Sequence, residues 1–222
     1  GACLVRISGN DQKEPVMLTG VGVVGSSGVS SCTMRAMCVS EDGRTMYVGG
    51  MESSNGRDCY TIYKTADGET YEQIVGPKTD VTVFDRYEGA EYRTDGGDLW
   101  EITEYGGKLF VTLMTRKGAM VFTGQYDSTA GQWAWEEFAG EQNSNYDPGF
   151  GNVDNYTLSP FRFNGDLYFI SFSNVMDALT DSFAGLTDTL SSGDINTYFD
   201  SLKLMDRVLD NETSVFRLTK DG

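Results

Sequence analysis

The stretch "RAMCVSEDGRTMYVGG" (Arg35 to Gly50) sets two apolar runs on either side of a turn-forming segment that contains Asp42-Gly43. The same order returns in "WEITEYGGKLFVTLMT" (Trp100 to Thr115) and in "PFRFNGDLYFISFSN" (Pro160 to Asn174). Asp42-Gly43, Gly106-Gly107 and Asn164-Gly165 are dipeptides that close two-residue hairpins, because they tolerate positive φ. An apolar-aromatic pair leads each second strand: Met46-Tyr47, Leu109-Phe110 and Leu167-Tyr168. These segments predict three β-hairpins built on one plan.

A third strand follows each hairpin, and one more copy opens the chain: "CLVRIS" (from Cys3), "YTIYKTADG" (from Tyr60), "AMVFTGQYD" (from Ala119) and "SVFRLTKDG" (from Ser214). Short fourth strands come after the first three, "EPVMLTG", "YEQIVG" and "WAWEEFAG". Units of four short antiparallel strands recurring about every sixty residues suit β-propeller blades. The expectation is an all-β chain of about three to four blades, forming a single domain over 1–222. It opens and stops in third strands, which suggests a fragment of a larger propeller or a subunit completed by a second chain.

Residues 174–211 break the period. Met176, Leu179, Phe183, Leu186 and Leu190 fall on one helical stripe, and Ile195, Tyr198, Phe199, Leu202, Met205 and Leu209 on another. Gly193 stops the first helix and Asp194 caps the second. A helical hairpin inserted in the last blade is expected, with Phe183, Tyr198, Phe199 and Leu202 as candidates for docking a partner.

Composition removes several functions. The 222 residues contain 17 Lys+Arg against 33 Asp+Glu, a formal charge of -16, which repels nucleic-acid phosphates and anionic lipid surfaces. With His 0, every Ser-His or Cys-His nucleophile arrangement is excluded, so catalysis would run on carboxylates, Tyr, Lys or a bound cofactor. No apolar run approaches the length of a membrane span, and no signal-peptide pattern opens the chain. Among Cys3, Cys32, Cys38 and Cys59 there is no C-x-x-C. Cys32 and Cys38 share a strand roughly 20 Å apart, too far for a disulfide; other pairings and four thiols both remain open.

"TGVGVVGSSG" (Thr19 to Gly28) has the spacing G-x-G-x-x-G, but "SSGVSSC" follows it and offers no helix to hold a pyrophosphate. Its glycines belong to a link between blades, as do those of "DPGFGNVDNY" (Asp147 to Tyr156).

In "LWEITEYGGKLFVTL", "GFGNVDNYTLSPFRFNGDLYF" and "YKTADGETYEQI" the chain resembles bacterial and archaeal β-propeller repeat proteins of kelch-like and sialidase-like type. The resemblance implies a fold and leaves the activity open, since such blades host many functions. "TADGETY" (Thr65 to Tyr71) resembles the Asp-box turn of sialidase-type propellers, with Asp67 and Gly68 adjacent and Tyr71 in place of Trp. In that family the turn is structural and remote from the active site.

Arg35, Glu101 and Arg162 lie on innermost strands, where side chains face a central channel, and are candidate ligand-binding residues. Tyr146, Asn152 and Asn155 crowd a connecting loop as further candidates, with Asp147 and Asp154 as candidate Ca²⁺ ligands; no other cofactor is expected. Trp100, Trp133 and Trp135 read as packing residues. The function expected is a non-catalytic recognition or assembly module, binding a glycan or a protein partner or closing the propeller by self-association, outside the cell or in its envelope. Two alternatives remain: a sialidase-like or lyase-type glycan-active enzyme, and a structural half-propeller completed by another chain.

Overall fold

The computed structural model describes residues 4–7, 13–16, 32–54, 57–85, 99–115, 118–139, 148–152, 155–173, 199 and 213–219. The fold is all-β, of propeller type. The first blade is an antiparallel sheet of β3 (Cys32–Val39), β4 (Met46–Ser54), β5 (Arg57–Thr65) and β6 (Glu72–Val75), in that order. The second repeats it with β7 (Leu99–Tyr105), β8 (Lys108–Leu113), β9 (Met120–Asp127) and β10 (Gln132–Ala139). The third has β11 (Asn155–Phe163), β12 (Asp166–Ser173) and β13 (Val215–Leu218). β1 (Leu4–Ile7) and β2 (Lys13–Val16) form a separate antiparallel pair.

The hairpin turns follow the glycine chemistry in two cases of three. Gly106 and Gly107 both take positive φ (61 and 76), as do Asn164 and Gly165 (51 and 87), and each pair joins directly opposed strand ends. Asp42-Gly43 does not close a two-residue turn, because Val39 opposes Met46 and six residues lie between them. Polar side chains shape that longer loop. The Ser40 hydroxyl donates to Asp42 Oδ1 at 2.6 Å and accepts from the amides of Arg44 and Thr45.

The innermost strands β3, β7 and β11 stand side by side with β7 in the middle. Each carries a bulge at an equivalent place: Arg35 between the Met34–Gly50 and Ala36–Gly49 pairs, Trp100 between Leu99–Leu113 and Glu101–Thr112, and Tyr156 between Asn155–Ser173 and Thr157–Phe172. A bulge bends the strand and re-aims the following side chains, which lets successive blades fan around an axis.

Blades pack face to face. Between the first and second, Tyr47, Met51, Tyr60 and Ile62 meet Leu99, Ile102, Val111 and Phe122. Phe84, from the connector after β6, fills the wedge with its ring 4.6 Å from that of Phe122 and 5.4 Å from that of Trp135. Between the second and third, Phe110 and Val121 meet Leu158, Leu167 and Phe169. Burying each such side chain contributes about 1.5–3 kcal/mol. No helix among the described residues is long and apolar enough to cross a membrane. The helical hairpin expected over 174–211 lies outside the described residues except for Phe199, which is helical and exposed.

Candidate functional site

The innermost strands bring the expected axial residues to two separate places. At the first, the Arg35 guanidinium carbon sits 3.7 Å from the Trp100 ring centroid, and the Trp100 indole N–H donates to Ser159 Oγ at 2.9 Å. One cation–π contact and one hydrogen bond thus tie β3, β7 and β11 together. At the second, Arg162 pairs with Glu41 at 3.5 Å and Glu104 Oε2 accepts the Glu41 amide at 3.2 Å. Ser159, which holds Trp100, and Arg162 are three residues apart on β11, roughly 10 Å, and alternate in face, so the Arg35 and Arg162 contacts lie on opposite sides of that strand. Glu101 is half-buried on β7, and its carbonyl accepts from the Thr112 hydroxyl.

Burial raises the Glu104 carboxyl above its usual range; the Glu41 and Asp42 charges add to this, while the Glu41 amide and Arg162 oppose it. The neighbouring Cys38 thiol is pushed up to about 12, mainly by burial and then by the Glu104 charge. Tyr47 is raised to about 12 for the same two reasons.

The loop candidates divide. Asn155 is buried, its amide donating to the Gly149 carbonyl at 2.8 Å, and Asn152 supplies the carbonyl that takes the Asn155 amide. Asn155 thus holds the turn in which Gly149 and Phe150 take positive φ. Tyr146, Asp147 and Asp154 lie outside the described residues, as do Phe183, Tyr198 and Leu202. Among the described residues no cluster of three or more carboxylates and thiols is arranged to hold a metal ion.

The sequence gives no sign of a concavity on the outer strands. The structure has one there, a groove of about 420 Å³ between the outer strands of the first two blades, walled by Tyr126, Trp133 and Trp135 and rimmed by Glu72, Gln73, Asp80 and Gln132. Its origin is a mismatch in strand length. β6 has four residues and the chain leaves the sheet at Gly76 (φ 134), whereas β10 has eight and overhangs it. Alternation along β10 turns Trp133 and Trp135 toward the first blade.

Trp133 meets Tyr47 edge-on at 6.1 Å, stacks on Trp135 at 5.7 Å and flanks Tyr126 at 5.9 Å. Both indole N–H groups are buried without an acceptor among the described residues. Unmet buried donors of this kind cost about 1–3 kcal/mol each until an oxygen reaches them. Tyr126 is exposed, with Lys64 Nζ 5.3 Å from its ring centroid, and Lys64 also pairs with Glu72 at 3.1 Å. The Trp pair therefore packs, as expected, and also walls a groove; the length difference between β6 and β10 that opens it carries no residue signature.

No family model matches the chain, and no curated protein does. Two solved structures overlap it in part. A mutant GH32 beta-fructofuranosidase of Bombyx mori in complex with sucrose is 15% identical over 74% of this chain and 34% of that one, with a TM-score of 0.37. A candidate glycosidase of Bacteroides thetaiotaomicron is 12% identical over 73% of this chain and 50% of that one, with a TM-score of 0.40. This chain spans half or less of the structures it overlaps. At such scores they bear on no activity.

Proposed function

We propose that the protein is a non-catalytic recognition module that holds a neutral glycan chain in the groove between its first two blades. The observation that carries this reading is the exposed Tyr126 ring beside the Trp133–Trp135 stack, under a rim of carboxylates and side-chain amides. Flat aromatic faces accept the apolar side of a pyranose or furanose ring. Glu72, Asp80 and Gln132 accept or share the hydrogen bonds of its hydroxyls. The acidic rim and the charge of -16 select against anionic ligands. The same proposal places the protein at a cell surface or beyond it, where glycan chains are met.

A second reading, a glycan-active enzyme, is favoured by Glu104. A carboxyl raised by burial, next to the carboxylate of Glu41 and the guanidinium of Arg162, is the kind of pair from which acid and base roles are built. A panel of neutral oligosaccharides run beside chromogenic glycosides separates the readings. Saturable binding without turnover supports the recognition module. Turnover lost in Glu104→Gln transfers the function to the axial cluster.

A further inference from the structure

We propose that the glycan site continues past the groove, across the Lys64–Glu72 ion pair and into a second cavity, so that the ligand is a chain of several sugars and not a single one. This extension rests on the recognition module proposed for the groove. The second cavity, of about 430 Å³, lies at the turn between β5 and β6 and is walled by Thr45, Lys64, Thr65, Thr70, Tyr71 and Glu72. Glu72 borders both cavities. The Lys64 ammonium links them, 3.1 Å from the Glu72 carboxylate and 5.3 Å from the Tyr126 ring centroid. The two hollows are therefore neighbours, divided by one ion pair.

The two lobes differ in chemistry. The first offers the rings of Tyr126, Trp133 and Trp135, whereas the second offers threonine hydroxyls and one ammonium, its Tyr71 ring being buried. A sugar chain carries ring faces and hydroxyl edges along its length and suits both. Glu72 neutralises Lys64, so the divide sets no net charge against an uncharged ligand. The ion pair uses one of the three donors of the ammonium and leaves the others for ligand oxygens. The wall of the second lobe is stiff before any ligand arrives. Thr65 Oγ1 accepts the Gly68 amide at 2.8 Å and donates to Asp67 Oδ1 at 3.0 Å, the Thr70 hydroxyl donates to Asp67 Oδ2 at 2.7 Å, and Gly68 takes φ 73. A preorganised wall of this kind lowers the ordering cost of binding.

Size sets the length of the ligand. Each cavity alone falls within the roughly 300–1,000 Å³ typical of small-ligand sites, and together they approach its upper end. A ligand that reaches both makes its second contact as an intramolecular step at high effective concentration, so affinity rises with chain length until both lobes are filled. A unit too short to cross Lys64–Glu72 gains nothing from the second lobe. The turn from Thr65 to Tyr71, which by its sequence is a structural turn only, is then also the wall of a binding surface.

Calorimetry of the intact chain with ladders of neutral gluco- and manno-oligosaccharides, from disaccharide to hexasaccharide, tests this. The readout is the ratio of hexasaccharide to disaccharide affinity. The wild type should show a ratio of about tenfold or more. Thr45→Val/Lys64→Met, with circular dichroism as the check on folding, should bring the ratio close to one, whereas Tyr126→Ala should weaken both lengths. On the wild-type chain, hydrogen exchange of residues 65–71 should slow with the hexasaccharide and not with the disaccharide, which reports the second lobe even if the double variant unfolds. A wild-type ratio near one, a ratio untouched in the folded double variant, or hexasaccharide binding that leaves that exchange unchanged overturns the extension and leaves the groove reading in place. Binding of no oligosaccharide at any length overturns both.

Discussion

The Trp135 ring lies flat across Gly124 on the neighbouring strand, so closely that a Cβ on Gly124 would overlap it. An aromatic covering a strand glycine fixes the ring where a larger residue would push it out. This contact sets the wall of the groove.

Gly124→Ala should therefore displace Trp135 and lower stability by about 1–3 kcal/mol, the usual cost of overpacking a filled site. Thermal melts measure the loss, and tryptophan emission should shift to the red as the indole is exposed. An unchanged melt would mean that the ring moves aside freely.

Gly107, at φ 76, has nothing within 4 Å of a built Cβ, so a side chain there meets strain and no clash. Gly107→Val should cost about 1–2 kcal/mol through the left-handed backbone alone. Denaturant unfolding checks this, and an unaltered midpoint would show that the turn relaxes to another type.

Asp67 accepts the amides of Glu69 and Thr70, each at 2.8 Å, and the Thr70 hydroxyl at 2.7 Å, which together hold its carboxyl well below the usual range. A depressed folded value means that its contribution is complete above the unfolded value of about 4 and fades as pH falls through the folded one. Asp67→Ala should thus lower the melting temperature at neutral pH, and the gap to wild type should narrow only below about pH 4. A gap that closes nearer neutrality would contradict this assignment.

Cys38 remains a protonated thiol at neutral pH, since its value stands at about 12. Alkylation followed by mass spectrometry should find it unmodified in the folded protein at pH 8 and modified after denaturation. Rapid native labelling would mean that the cluster around Glu104 is open to reagents.

The hairpins at Gly106-Gly107 and Asn164-Gly165 were legible because two adjacent positive-φ residues leave little other choice. The loop at Asp42-Gly43 was not, because Ser40 and Asp42 compete for the backbone amides with their own side chains. Arg35, Glu101 and Arg162 lie on the first strands of their sheets, yet sequence alone does not bring Arg35 to Trp100. That contact depends on bulges at both residues, and a bulge shows only when the partner strand is in view. The groove depends on where β6 stops relative to β10, a relation between strands nearly sixty residues apart.

Titration of the intact chain with neutral oligosaccharides, followed by tryptophan fluorescence and calorimetry, tests the recognition function most directly, with Tyr126→Ala as the comparison. Tyr126 is 48% exposed, so its removal should spare the fold. The groove account predicts saturable binding that perturbs Trp133 and Trp135, weakened about tenfold or more in the variant, or roughly 1.4 kcal/mol. Binding of equal strength in the variant, or turnover that disappears in Glu104→Gln, would contradict it.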